Sequence, residues 1–488
     1  MKLINSTLPS IDQLKINYKS SIRETLKKIN DTSMGSCFVI KNNQIIGVVT
    51  DGDIRRALLR GKKLDSSILK VMKKKFIFLK NNYSDRKINE LFNSDIKIIP
   101  IINNKRNLLD YACNKRFHSI PVSEPSLIGN EINYVLDCVK TGWISSRGKY
   151  VELFEKKFSK FLGSKNSISC SSGTTALHLC LKSLGIKEND EVIVPNFTFI
   201  APVNSIIYCG AKPVLVDVDS KTYCIDLDKL KKKINKKTKA IIIVHTYGYP
   251  QNIKEIIKLA KKKHIFVIED CAEAIGSFLN NRHVGIDSDA GTFSFFGNKT
   301  ISTGEGGLIV FKEKKYLQKA KSLRNHSMSE KIKYYHTDIG FNYRITNMQA
   351  AVGVAQVEKI KKFIQKKIWI AKMYEKYLIK DKNLILPYAP SNSQHSYWLY
   401  IILINNFSQL KRDKLITALN NKGVEVRNPF FPVHRMKPYK KYTKNEKFPN
   451  SDKIYNTGIC LPSFFSLGLY QIKTISTIIN NYVKKNNK

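Results

Sequence analysis

No two of the nine cysteines form a C-x-x-C pair, and their number is odd. That excludes a zinc ribbon or dithiol redox motif and implies free, mostly buried thiols in a reducing compartment. The nine histidines show no H-E-x-x-H or similar spacing, so no metal site is expected. No apolar run approaches the ~18 residues of a membrane span. The first residues, MKLINSTLPSIDQ, have neither an apolar core nor a small-residue cleavage site, so a cytoplasmic protein is expected. Acidic residues are scarce, 39 against 83 Lys and Arg, for a net charge of +44. The basic residues are spread over the whole chain without zinc-finger or RNP-type motifs, which argues against a nucleic-acid partner. Such a field still favours an anionic small substrate, such as a nucleotide sugar. Neither G-x-G-x-x-G nor G-x-x-x-x-G-K-[ST] occurs.

What is present implies several domains in 488 residues. Residues 1–118 read as a weak tandem repeat of helix, strand, Asn-Asn turn, strand and helix. The first copy has a helix at 21–30, strands at 37–40 and 45–50, and a helix opening at Asp53. The second has a helix at 85–92, a strand at 98–102, a turn at Asn103 and Asn104, then LLDYAC. From residue 119, amphipathic helices at 131–140 and 150–162 flank a turn at Gly142 and Trp143. Continuous Val/Ile strands then alternate with helices, which implies a mostly parallel sheet covered on both faces. Ligands of such sheets sit beyond the carboxyl ends of the strands, where Phe199, His245, Asp270 and Glu273 fall. A long helix is expected over 345–379. A small α+β domain is expected after it, with strands at 396–404 and 424–428 and helices at 410–422 and 470–485.

Three features converge on one cofactor. In GTFSFFGNKTISTGEGG (291–307), Lys299 lies between an aromatic run and a glycine cluster. It is either a loop lysine in water or a desolvated amine with lowered pKa, able to act as a nucleophile. Ser172, Gly173 and Thr174 open a helix after the strand 167–170; this start either caps itself or binds a phosphate. Asp270 ends the apolar strand IFVIED, so its carboxylate needs a buried partner, such as a protonated ring nitrogen. Pyridoxal 5'-phosphate requires a lysine, a phosphate cradle and an acid at its ring nitrogen.

These segments resemble the DegT/DnrJ/EryC1/StrS sugar aminotransferases of the fold-type I pyridoxal-phosphate superfamily, from about Ile120 onward. The resemblance implies a large domain (119–370) with a mostly parallel sheet and a small α+β domain (371–488). It implies that Lys299 carries the cofactor, that Ser294, Gly173 and Thr174 hold its phosphate, that Phe199 stacks on its ring, and that Asp270 meets its nitrogen. Glu273 falls near the ring hydroxyl, where many members have glutamine; a carboxylate there has to be protonated or reoriented. Asn342 in GFNYRIT is implied to reach the phosphate in a neighbouring subunit, and so implies a homodimer with shared sites. GWISSRGKYVELFE, VHRMKPY and LPSFFSL resemble the branch acting on GDP-linked 4-keto-6-deoxy sugars. The substrate is then a nucleotide-linked keto sugar, with glutamate as donor and surface polysaccharide or O-antigen as destination. Substrate contacts are expected from Trp143, His245, Arg427 and His434; RNPFFPVH either closes over the sugar nucleotide or is an aromatic turn of the core. A UDP- or dTDP-linked acceptor remains an alternative, as does a non-catalytic sensor. The N-terminal repeat resembles a CBS-domain pair, in which Thr50 and Asp53 of GVVTDGDIRRALL match a ribose-binding T-x-x-D. Packing or oligomerisation is the favoured role of that module.

Overall fold

The structure is a computed structural model and describes residues 9, 11–80, 91, 96, 98–113, 120–379, 381–443 and 446–486. The chain divides into two compact units, Met1–Ser119 and Ile120–Lys488.

The first unit contains β1 (Lys15–Asn17), α1 (Ile22–Thr32), β2 (Ser36–Lys41), β3 (Gln44–Thr50) and α2 (Asp51–Leu59). β2 and β3 form a hairpin across Asn42 and Asn43, both at positive φ, as a tight turn requires. β4 (Leu79–Lys80), β5 (Ile98–Ile102) and β6 (Leu108–Cys113) form a second three-stranded sheet. The turn between β5 and β6 departs from the expected Asn-Asn pair. Asn103 Oδ1 accepts the N–H groups of Lys105 and Asn107, and the left-handed residue is Arg106. The helix expected at 85–92 lies outside the described residues except for Leu91.

The second unit is built on a seven-stranded sheet. Its strands are β7 (Ser167–Cys170), β8 (Glu191–Pro195), β9 (Lys212–Val216), β10 (Thr238–Val244), β11 (Phe266–Asp270), β14 (Ala290–Ser294) and β15 (Gly307–Phe311). A hairpin formed by β12 (Phe278–Leu279) and β13 (Arg282–His283) precedes β14. The order is β7-β15-β14-β11-β10-β8-β9, with β15 antiparallel to both of its neighbours. β8, β10, β11 and β14 are buried along their length apart from Lys239 and Phe266. This matches their largely apolar central residues, which two-sided burial demands. All nine cysteines are buried and outside any disulfide.

A 31-residue helix, Asn347–Tyr377, leads from this sheet to the smaller one. Thr346 and Gln349 form its capping box. The smaller sheet joins β16 (Leu384–Ile385), β18 (Tyr400–Ile404) and β19 (Gly458–Leu461); β17 (Ser393–Gln394) pairs with β12. The strand expected at 424–428 does not form. Val424 and Arg427 make only single bridges, to Ile120 and Cys460, between the left-handed Gly423 and Pro429. Among the described residues no helix is long and apolar enough to cross a membrane.

Candidate active site

The carboxyl edge of the large sheet gathers the groups singled out above. After β7 the chain enters the helix Gly173–Ser183 through Ser172. Ser172 Oγ accepts the Thr175 N–H at 3.1 Å, and Thr175 Oγ1 accepts the Ser172 N–H at 2.9 Å. Helix geometry leaves the Gly173 and Thr174 N–H groups without intrahelical acceptors. Ser294, at the end of β14, lies so close to Gly173 that a Cβ added there would sit 2.7 Å from the Ser294 Cβ. Gly307 meets the Ser172 carbonyl in the same way. Glycine at both positions lets the helix start, β14 and β15 converge, and leaves two N–H groups and a hydroxyl in one small region.

Asp270 is 6% exposed and accepts the Ala272 N–H at 3.0 Å. Burial raises its pKa, and Lys299 and His245 act against that rise. Glu273 is as deeply buried, and its Oε2 accepts the Tyr247 N–H at 2.6 Å. Burial pushes its carboxyl up to about 7, again opposed by Lys299. Lys299 follows β14 in a turn closed by its N–H on the Phe296 carbonyl, 2.9 Å away. Burial lowers the pKa of its amine, while Glu273 and Asp270 pull it back up. Its Nζ stands 3.8 Å from the centroid of the Trp398 ring. The structure therefore brings one amine, two buried acids and an indole together.

The remaining expected residues scatter. Phe199 is 56% exposed just beyond the end of β8, with its ring 6.2 Å from that of Phe430. His434 lies beside the same strand end. It receives a hydrogen bond on Nδ1 from Asn196 Nδ2 at 3.0 Å and donates its backbone N–H to Asn196 Oδ1 at 2.9 Å. Arg427 is exposed, and its guanidinium lies 3.4 Å from Glu425. Asn342 is exposed, with its backbone bridged to Asn325. Trp143 lines a polar cleft of about 1380 Å³ together with Arg147, Arg324 and Arg344; neither Lys299 nor Asp270 lines it.

Two expectations are corrected. His245 offers nothing to a substrate. It is wholly buried, donates from Nε2 to Glu269 at 2.8 Å, and accepts the Gln251 N–H on Nδ1 at 3.2 Å. The T-x-x-D of the first unit is a helix cap. Thr50 and Asp53 form the capping box of α2, and Asp53 also pairs with Arg56 at 2.6 Å and Lys73 at 3.2 Å. Its carboxylate thus already has three partners within the protein. Sequence reasoning missed Trp398 and Tyr247. Tyr247 lies in the left-handed region at φ 53° just before Gly248. A non-glycine residue held there is a signal of constraint, but it is visible only in the fold.

The sequence pattern of the DegT/DnrJ/EryC1/StrS aminotransferase family matches residues 125–480. The chain belongs to that family. The CBS-domain pattern matches residues 8–60, one half of the expected pair. The GDP-perosamine synthase of Vibrio cholerae is 43% identical over 364 residues, covering 74% of this chain and 99% of that protein. A UDP-N-acetyl-3-dehydro-alpha-D-glucosamine 3-aminotransferase of Acidithiobacillus ferrooxidans is 34% identical, over 75% and 95% of the two chains. Among solved structures, Helicobacter pylori PseC, an aminotransferase involved in the biosynthesis of pseudoaminic acid, superposes with a TM-score of 0.72 at 26% identity. It covers 75% of this chain and 100% of its own. This family member is thus a sugar aminotransferase of fold-type I with pyridoxal phosphate as cofactor. Its residues fit that group. The Gly173–Ser294 approach leaves a cradle that a Cβ would fill, and Asp270 is a buried acid without a full counterion.

Proposed function

We propose that the chain moves an amino group from glutamate to C4 of a GDP-linked 4-keto-6-deoxy sugar, as a GDP-perosamine synthase does, in the cytoplasm and for surface polysaccharide or O-antigen. The observation that carries this reading is the Lys299 amine set against Asp270 and Glu273 in a chain aligned with nearly the whole of the Vibrio cholerae enzyme. In this reading Gly173, Thr174 and Ser294 hold the phosphate, Phe199 covers the ring, and Asp270 faces its nitrogen. The bound cofactor supplies an aldehyde that exchanges amines and a ring that absorbs electrons. Lys299 would hold the cofactor through its amine and, as a free amine, would carry a proton to and from the donor's α-carbon. Asp270 keeps a positive ring nitrogen charged by its own negative charge in a water-poor site. Glu273, protonated up to about neutral pH, donates a hydrogen bond where glutamine would.

The chain acts as a homodimer in this reading, with Asn342 serving the partner's site. The exposed Ile132, Leu136 and Val139 of the helix Glu131–Thr141 support this, because such a stripe needs cover. Residues 119–370 then form the cofactor domain and 371–488 the small domain. The 1–118 module serves packing or assembly.

Purified protein tested with glutamate against GDP-, UDP- and dTDP-linked 4-keto sugars decides the substrate. Amination of the GDP sugar alone is expected. Preference for a UDP- or dTDP-linked sugar would move the enzyme to another branch of the family.

A further inference from the structure

The site's chemistry leaves Trp398 without a role, yet this residue is held from several sides. It is 5% exposed. Its indole Nε1–H donates to the carbonyl of Asn298, the residue before Lys299, at 2.8 Å. Its backbone N–H donates to the Tyr247 carbonyl at 3.1 Å. Its own carbonyl accepts from the buried Lys367 amine at 3.0 Å. The ring also stacks on Tyr247 at 6.1 Å and 14°. Four atoms or faces, engaged by three other segments of chain, thus hold the ring in place, and above it, 3.8 Å from its centroid, sits the Lys299 Nζ.

Lys299 is half-buried, and a free ammonium so placed gains from an attractive partner. Of the two nearby acids, Asp270 attracts the ammonium, while Glu273 serves poorly. Burial raises the pKa of both, and Glu273 keeps its proton up to about neutral pH. The negative face of an indole attracts a cation without accepting its proton. It holds the amine in place and leaves the nitrogen free to give up that proton. We propose that Trp398 is the seat of the free Lys299 amine, a positioning residue that holds the ammonium whenever the lysine is not bonded to the cofactor. This proposal rests on the reading of Lys299 as the cofactor lysine, and the two can fail separately.

The test uses the full-length, cofactor-free chain with tryptophan at position 398 replaced by 5-fluoro-, 5,7-difluoro- and 4,5,6,7-tetrafluorotryptophan. These replacements nearly keep the shape and progressively weaken the face. Acetylation of Lys299 by limiting acetic anhydride is followed across pH by peptide mass spectrometry. The apparent pKa of Lys299 should fall stepwise with fluorination, and its labelling at pH 8 should rise at least threefold across the series. Labelling of Lys366, which stacks on a different tryptophan, should not change. A flat Lys299 profile across the series overturns the seat. Adding pyridoxal phosphate to the same chains and trapping with borohydride reads the other claim. Fluorine-sensitive labelling with no trapped cofactor at Lys299 would keep the seat and remove the aminotransferase reading of that lysine.

Discussion

Lys299→Ala removes the amine on which the reaction turns. Transamination is expected to fall by ~10³-fold or more, the scale of a lost nucleophile and proton carrier. Steady-state assay with glutamate and the keto sugar checks this, and near-normal turnover would reassign the lysine. Glu273 makes a prediction of its own. An exposed glutamate has a pKa of 4.5, and this one is pushed up to about 7 by burial. Between those values the folded protein binds a proton that the unfolded chain has released. This group's contribution is therefore complete below about pH 4.5 and is lost as pH rises to about 7. Calorimetry of the cofactor-free protein should show Tm falling over that window, and Glu273→Gln should flatten the fall. Parallel curves for the two proteins would contradict the assignment. Lys299 and Asp270 were legible as residues because each terminates or follows an apolar strand in a recognisable segment. Trp398 was not, because its importance depends on a ring plane set by contacts far away in sequence.

At the level of elements, the cradle depends on how closely a helix start approaches two strand ends. Gly173→Ala would put a methyl group 2.7 Å from the Ser294 Cβ, closer than real carbon atoms pack. Cofactor binding should weaken by about tenfold or more, ~1.4 kcal/mol, measured by fluorescence titration, while far-UV circular dichroism stays unchanged. An unaltered Kd would mean that the cradle lies elsewhere. The strand ends were readable from unbroken runs such as FVIED, and the helix start from SSGTT. The missing strand at 424–428 was misread because VEVRN has strand-like residues but too short a stretch to pair continuously. Between Gly423 and Pro429 it makes only two isolated bridges, Val424 to Ile120 and Arg427 to Cys460 of β19.

At the level of the whole molecule, two predictions separate assembly from chemistry. If Asn342 completes the partner's site, co-expressing Lys299→Ala with Asn342→Ala should restore about a quarter of wild-type activity. Half of randomly mixed dimers then carry one intact site of two. Activity no higher than that of the two parents mixed after purification would exclude a shared site. Deleting residues 1–119 should leave turnover within about threefold, since each unit has its own core and the match to the Vibrio cholerae enzyme uses 74% of the chain. A collapse of activity would give the module a role in the catalytic unit itself.

Local pattern alone determined the βα alternation and the burial of the thiols. Each follows from the pattern of apolar residues. Tertiary structure decided what the polar side chains are free to do. His245 lost its place because Glu269 and Gln251 occupy both of its nitrogens, and Asp53 because Thr50, Arg56 and Lys73 surround it. Trp398 gained one because three separated segments meet around it. Hydrogen-bond capacity and buried charge are settled by whatever neighbours the folded chain supplies, and sequence spacing carries no record of them.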